Sequence, residues 1–111
     1  MWSICADERQ AVFASGHMLK VWDLENQREL GTLAGHIDSV NDVAVSDDGR
    51  RAVSASKDCT VRLWNLDNML QIAAFTSDVA VTSCAVAPDG KTVIAGDVLG
   101  RIFFLQLVRR E

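Results

Sequence analysis

Apolar and polar residues alternate along almost the whole chain in runs of about six, and turn residues separate the runs. In Val61-Arg62-Leu63-Trp64, Val61 and Leu63 point to one side of an extended chain and Trp64 to the other. Phe103 and Phe104 likewise face opposite sides. β-Branched and aromatic residues fill these runs, and helical spacing is poor throughout, so the pattern predicts short antiparallel strands. The expected strands are residues 10–15, 19–24, 28–33, 40–46, 51–56, 60–66, 70–75, 81–87, 92–95 and 101–107, after the end of a strand in residues 1–6. That makes eleven, some with apolar groups on both faces. Such strands belong to sheets packed on both sides.

The pattern repeats. Residues 35–66, GHIDSVNDVAVSDDGRRAVSASKDCTVRLWNL, have imperfect copies before and after them. Shifted forward by 41 positions, Asp48-Gly49 falls on Asp89-Gly90, Val61 on Ile102, Leu63 on Phe104 and Leu66 on Leu107. Shifted back by 41, Asp48 falls on Asp7, Arg50 on Arg9, Ala52 on Ala11 and Ala55 on Ala14. With one residue dropped near His17, Trp64 falls on Trp22. A period of about 40–45 residues with Gly-His and Trp-Asp signatures marks propeller blades of four strands each. The chain resembles a WD-repeat β-propeller on Gly35-His36, Asp48-Gly49, Ser54, Asp58, Trp64-Asn65 and Trp22-Asp23.

The resemblance implies an all-β fold of about three blades in a single segment, residues 1–111. Blade 1 takes about 1–33, blade 2 about 34–75 and blade 3 about 76–107, the last without its outer strand. Propellers close with about four to eight blades, so three form an incomplete ring. Two uncovered four-strand faces would expose ~600 Å², the upper end of what monomers tolerate. The expectation is completion, either by further blades of a longer chain or by self-association as a dimer or trimer. The ending AGDVLGRIFFLQL is similar to a closing blade, and more loosely to the propeller ends of bacterial multidomain nucleotide-switch proteins.

Composition narrows the function. Of 111 residues, 49% are hydrophobic and 23% charged, which favours folding over disorder. A net charge of −4, with Arg50-Arg51 and Arg109-Arg110 as short pairs among acids, gives no nucleic-acid or membrane footprint. No apolar run approaches the ~18–20 residues of a membrane span, and residues 1–10 lack a secretory pattern, so a cytoplasmic protein is expected. Cys5, Cys59 and Cys84 have no CxxC spacing and an odd count, against a disulfide framework or zinc knuckle. Cys84, in an apolar run, reads as a small buried hydrophobe. Pro88 suits a turn, and Glu8 stands where the other copies have Gly49 and Gly90.

By resemblance, His36, Ser54, Asp58 and Trp64 are the buried tetrad that ties one blade together. An indole N–H can donate to a hydroxyl, the hydroxyl to an imidazole nitrogen, and the other imidazole N–H to a carboxylate. A catalytic Ser-His-Asp triad is disfavoured, because no Gly-x-Ser-x-Gly elbow is present. The first copy has Phe13 and His17 at the Ser54 and Asp58 positions. The third has Ser77, Ala95, Leu99 and Leu105 at the four positions, so both are expected to rely on apolar packing. His17 has no second ligand at useful spacing, the carboxylates Asp7, Glu8, Asp47, Asp48 and Asp89 read as turn residues, and no cofactor motif occurs.

The resemblance also implies a partner surface on the loops carrying Ile37, Asp38, Asn41 and Lys57, with Val98 in the third copy. The expected function is a scaffold that binds a protein or peptide without catalysis, metal or cofactor. The alternative is a hydrolase or lyase with an axial pocket of converging His, Asp, Glu or Arg. The innermost strands, rich in Val, Ala, Ser and Cys, speak against it.

Overall fold

The computed structural model of the chain describes residues 2–4 (backbone only), 9–87, 89 and 91–106. Cys5, Asp7, Glu8, Pro88, Gly90, Leu107 and the 108–111 tail lie outside the described residues. Among the described residues there are eleven strands and no helix. They are β1 (Trp2–Ile4), β2 (Gln10–Ser15), β3 (Met18–Asp23), β4 (Arg28–Leu33), β5 (Val40–Val45), β6 (Arg51–Ser56), β7 (Thr60–Asn65), β8 (Leu70–Thr76), β9 (Val81–Val86), β10 (Thr92–Asp97) and β11 (Ile102–Gln106).

The strands form three antiparallel meanders, β1-β2-β3-β4, β5-β6-β7-β8 and β9-β10-β11. This is the strand order expected of three propeller blades, the third with three strands. β10 extends two residues past its expected end, because Gly96 and Asp97 still pair with β9.

Alternation decides what packs where. In the middle sheet Ala52 pairs directly with Trp64, and both join Val12, Leu19, Val21 and Leu33 of the first sheet in one apolar cluster. Their neighbours Val53, Ala55, Val61 and Leu63 point the other way and join Val81, Val93 and Ala95 of the third sheet in a second cluster. The middle sheet is therefore covered on both faces. Burying a Val or Leu side chain contributes about 1.5–3 kcal/mol, so the two clusters account for most of the cohesion between sheets.

Polar ties fix the spacing of the sheets. Asn41 Nδ2 donates to Val81 O at 2.9 Å, the Cys84 backbone N–H to Asp42 Oδ2 at 3.0 Å, and the Val40 N–H to Gly16 O at 2.9 Å. Repeated turns carry repeated chemistry. Asp23 Oδ1 accepts from the Glu25 and Asn26 N–H groups, and Asn65 Oδ1 from those of Asp67 and Asn68. Gln27 and Met69 then take positive φ, 55° and 60°, at matching places. The second residue of each Trp-Asp or Trp-Asn pair thus closes the turn leading to the outer strand.

Candidate functional site

The start of β5 and the end of β6 lie at one end of the middle sheet, where Val40 pairs with Ser56. This end brings the four tetrad residues together. Trp64 Nε1–H donates to Ser54 Oγ at 2.9 Å, and Ser54 Oγ lies 2.6 Å from His36 Nε2. His36 Nδ1 lies 2.9 Å from Asp58 Oδ2. Asp58 also accepts from the Ile37 and Thr60 backbone N–H groups, at 3.1 and 2.9 Å, and from the Thr60 hydroxyl.

The arrangement fixes the protons. Asp58 can only accept, so His36 carries its hydrogen on Nδ1, and Nε2 accepts the Ser54 O–H. Burial pushes the His36 pKa below its ordinary value, more than its bond to Asp58 raises it, and the ring is neutral. Burial alone would raise the Asp58 pKa. The bonds from Thr60, His36 and Ile37 outweigh it and hold the carboxyl at about 2.

These groups form a chain of satisfied bonds. Ser54 is fully buried and its hydroxyl spans indole and imidazole, so it has no free path to a substrate. The tetrad anchors both loops of this end: His36 and Ile37 before β5, and Lys57 and Asp58 before β7. Ser56 Oγ reinforces it, donating to Ser39 O at 2.9 Å and accepting from the Asp58 N–H at 3.1 Å.

The partner-surface residues differ in what they have free. Ile37 is 86% exposed although its own N–H is held by Asp58. Lys57 is exposed, and Val98 projects from the β10–β11 turn. Asp38 is exposed but caps the neighbouring Ser39 N–H at 2.7 Å. Asn41 is half-buried, with its amide engaged to Val81, which makes it a tie between sheets.

The third sheet departs from the expectation of apolar packing alone. Buried Asp97 accepts from the Leu99 and Arg101 N–H groups at 2.9 and 3.0 Å and from Arg101 Nε at 2.6 Å. Arg101 also pairs with Asp78, in the loop before β9. Burial would raise the Asp97 pKa, but these Arg101 bonds win and lower it. The cluster joins the two loops that the tetrad joins in the middle sheet, with different residues at different positions. Arg101 and Asp97 next to a hairpin turn were the available sequence signal. Leu99, at the Asp58 position, is exposed.

Among the described residues the first sheet shows no such tie. Phe13 packs on Trp22 with ring centroids 6.5 Å apart, and the buried Trp22 Nε1 has no hydrogen-bond partner. His17 is exposed in its turn.

Two concavities bear on an axial pocket or a binding groove. One, about 110 Å³, lies beside β8 and β11 and is lined by residues such as Val61, Leu63, Phe75, Val93 and Leu105. The other, about 210 Å³, is a trough on the third sheet lined by residues such as Ser83, Ala85, Ile94, Gly96 and Ile102. Neither lining contains His, Asp, Glu or Arg. Among the described residues no group of three or more His, Cys, Asp or Glu could hold a metal ion, and no helix is long and apolar enough to cross a membrane. Cys59 and Cys84 are free thiols, and burial pushes the Cys84 pKa up.

Residues 36–107 match a family model described as the TEP-1 C-terminal beta-propeller. Eukaryotic translation initiation factor 3 subunit I of Culex quinquefasciatus is 32% identical over 78 residues, covering 70% of this chain and 24% of that protein. WD repeat-containing protein 36 of Homo sapiens is 35% identical over 72 residues, 65% of this chain and 8% of that protein. The U3 small nucleolar RNA-associated protein 15 homolog of Xenopus tropicalis is 33% identical over 86 residues, 77% of this chain and 17% of that protein. The chain spans a quarter or less of the length of these curated relatives.

Proposed function

Because this chain belongs to the WD-repeat β-propeller family, we propose that it is a protein-binding scaffold with no chemistry of its own. Its three blades, about 1–33, 34–75 and 76–107, act as one segment in the cytoplasm, completed by self-association or by further blades. The loops that follow the outer strands and precede the third strands present the partner surface. Ile37 is the central residue, Asp38, Lys57 and Val98 are the other exposed members, and the partner is a protein or peptide.

One observation carries this reading. Ile37 is 86% exposed, yet its backbone N–H is bonded to the ionised carboxylate of Asp58, a side chain 1% exposed inside the satisfied network. An apolar side chain held out to solvent by a rigid frame loses little conformational entropy on binding, which is what an interface anchor requires.

The test is site-specific photo-crosslinking in cell extract, with the crosslinker at Ile37 or, at the opposite end of the sheet, at Asp47. Defined protein adducts from position 37, several-fold above position 47, are the expected result. Equal yields at the two ends overturn the reading.

A further inference from the structure

The first and second sheets each carry a polar cross-strand pair at the same station of the repeat. In the first it is Lys20 and Glu29, with Nζ and Oε1 3.3 Å apart. In the second it is Arg62 and Gln71. Register sets the correspondence. Glu29 pairs with Trp22 and Gln71 with Trp64, while Lys20 and Arg62 each stand two residues before the tryptophan. The cation is kept and the carboxylate is not. Arg62 Nη1 donates to the Gln71 amide oxygen at 2.7 Å, and Arg62 Nε to the Thr60 hydroxyl at 3.2 Å. Both acceptors are neutral, and among the described residues no carboxylate lies within ion-pair distance of Arg62. Asp58 reaches it only through Thr60, and that carboxylate already accepts from His36 and from the Ile37 and Thr60 N–H groups.

Two bonds orient the half-buried guanidinium and leave three of its five N–H donors without a partner among the described residues. Gly35 keeps it open. This residue is exposed, and a Cβ there would lie 3.2 Å from Arg62 Nη1 and 3.0 Å from Trp64 Cη2. Any side chain at position 35 would therefore press on the guanidinium. Ile37 follows two residues later, so its Cα lies within about 7 Å of that of Gly35. An outward apolar side chain and an oriented cation without a counter-ion thus share one short stretch of surface. Of the exposed charges on the same loops, Lys57 is also positive, and Asp38 caps the Ser39 N–H. A guanidinium held in plane with donors to spare is the geometry that a carboxylate takes in two parallel bonds.

We propose that Arg62 receives an Asp or Glu carboxylate of the partner, so that the peptide recognised seats an acidic residue on Arg62 beside Gly35 and packs an apolar residue on Ile37. This rests on the scaffold reading and names the chemistry of its partner. The repeat gives the reason for a carboxylate. The first sheet fills this station with its own, Glu29, whereas Gln71 has the shape of Glu without the charge and leaves the charge to be brought from outside. Arginine is also among the residues that dominate binding energy when they sit beside an apolar anchor at the centre of an interface.

The experiment is an NMR titration of the intact 111-residue chain, following the Arg62 Nε–H and Ile37 backbone N–H signals. The probes are N-acetylated Gly-Ser peptides that hold one Glu and one Leu at a series of short separations, and the same peptides with Gln for Glu. At least one Glu peptide should shift both signals saturably and bind roughly fivefold or more tightly than its Gln counterpart, a preference that fades as salt rises. Gln71→Glu is the decisive variant. It restores the charge pair of the first sheet, should keep the wild-type melting midpoint, and should weaken Glu-peptide binding roughly fivefold while leaving Gln peptides unchanged. Arg62→Lys keeps the charge but loses the paired donors, and its affinity should fall between the two. The proposal is overturned if no Glu peptide moves the Arg62 signal, if Glu and Gln peptides bind alike, or if Gln71→Glu binds as the wild type does. Crosslinking from position 37 is scored separately. Selective adducts there with any of these failures would keep the scaffold reading and reject its acidic partner.

Discussion

The middle and first sheets begin from the same repeat and reach the same strand order, but they are held differently. The middle sheet has a Trp-Ser-His-Asp chain of bonds beneath its loops and a neighbour on each face. The first keeps the tryptophan, puts Phe13 where the hydroxyl would be, and leaves the indole N–H without an acceptor. The strands of a blade therefore need only alternation and turns. The tetrad is an addition, which fixes where the loops point.

The sharpest way to break this comparison is to remove the tryptophan from each sheet. Trp64→Ala should cost about 3–5 kcal/mol in urea denaturation, because it empties a buried site and strands Ser54. Trp22→Ala, at a half-buried ring with no hydrogen bond to lose, should cost less than half as much. Equal losses would mean that the tetrad contributes nothing beyond ring packing.

The next test acts on the network alone. His36→Ala should destabilise by ~1–3 kcal/mol. An unchanged melting midpoint would remove the structural role assigned to the four residues. Acid sharpens the test. The His36 and Asp58 pKa values both lie below their ordinary positions in the fold, so the unfolded chain binds more protons. Stability therefore falls as pH drops below the ordinary histidine value of 6.5, and falls further between 3.8 and about 2 as Asp58 protonates. The Asp58 part amounts to ~2 kcal/mol. Melting curves from pH 7 to 2 should show this slope in the wild type and a shallower one in His36→Ala.

The smallest expected effect lies in the turn beside Asp58. Cys59 has φ +74°, where the third sheet has Gly100 at +82°. Cys59→Gly should stabilise by ~0.5 kcal/mol, the relief of a left-handed residue less the added freedom of the unfolded chain. A loss of stability would show that the Cys59 side chain contributes more to the turn than its backbone strain costs.

The sequence made the strand order legible because alternation and the 41-residue shift act on every residue of a strand. The tetrad was legible through the resemblance, which named His36, Ser54, Asp58 and Trp64, and the donor and acceptor groups of the four allow the bonds seen among them. The Asp78–Arg101–Asp97 cluster was not. It joins two loops through an arginine that the pattern placed inside a strand, and no single spacing in the repeat announces it. Asn41 shows the same limit. Its position marked it for a partner, but its amide reaches the carbonyl of Val81, a contact set by how two sheets sit together.

The alternation of Ala52 with Val53, and of Leu63 with Trp64, assigns neighbouring residues to different clusters. A slip of one residue in β6 or β7 would exchange the two interiors, sending Trp64 toward the third sheet and Leu63 toward the first. Misregistration in the middle sheet is thus penalised on both sides, whereas in an end sheet it disturbs one. The central strands act as the proofreader of the chain's alignment, and errors confined to the outer sheets can be corrected against them.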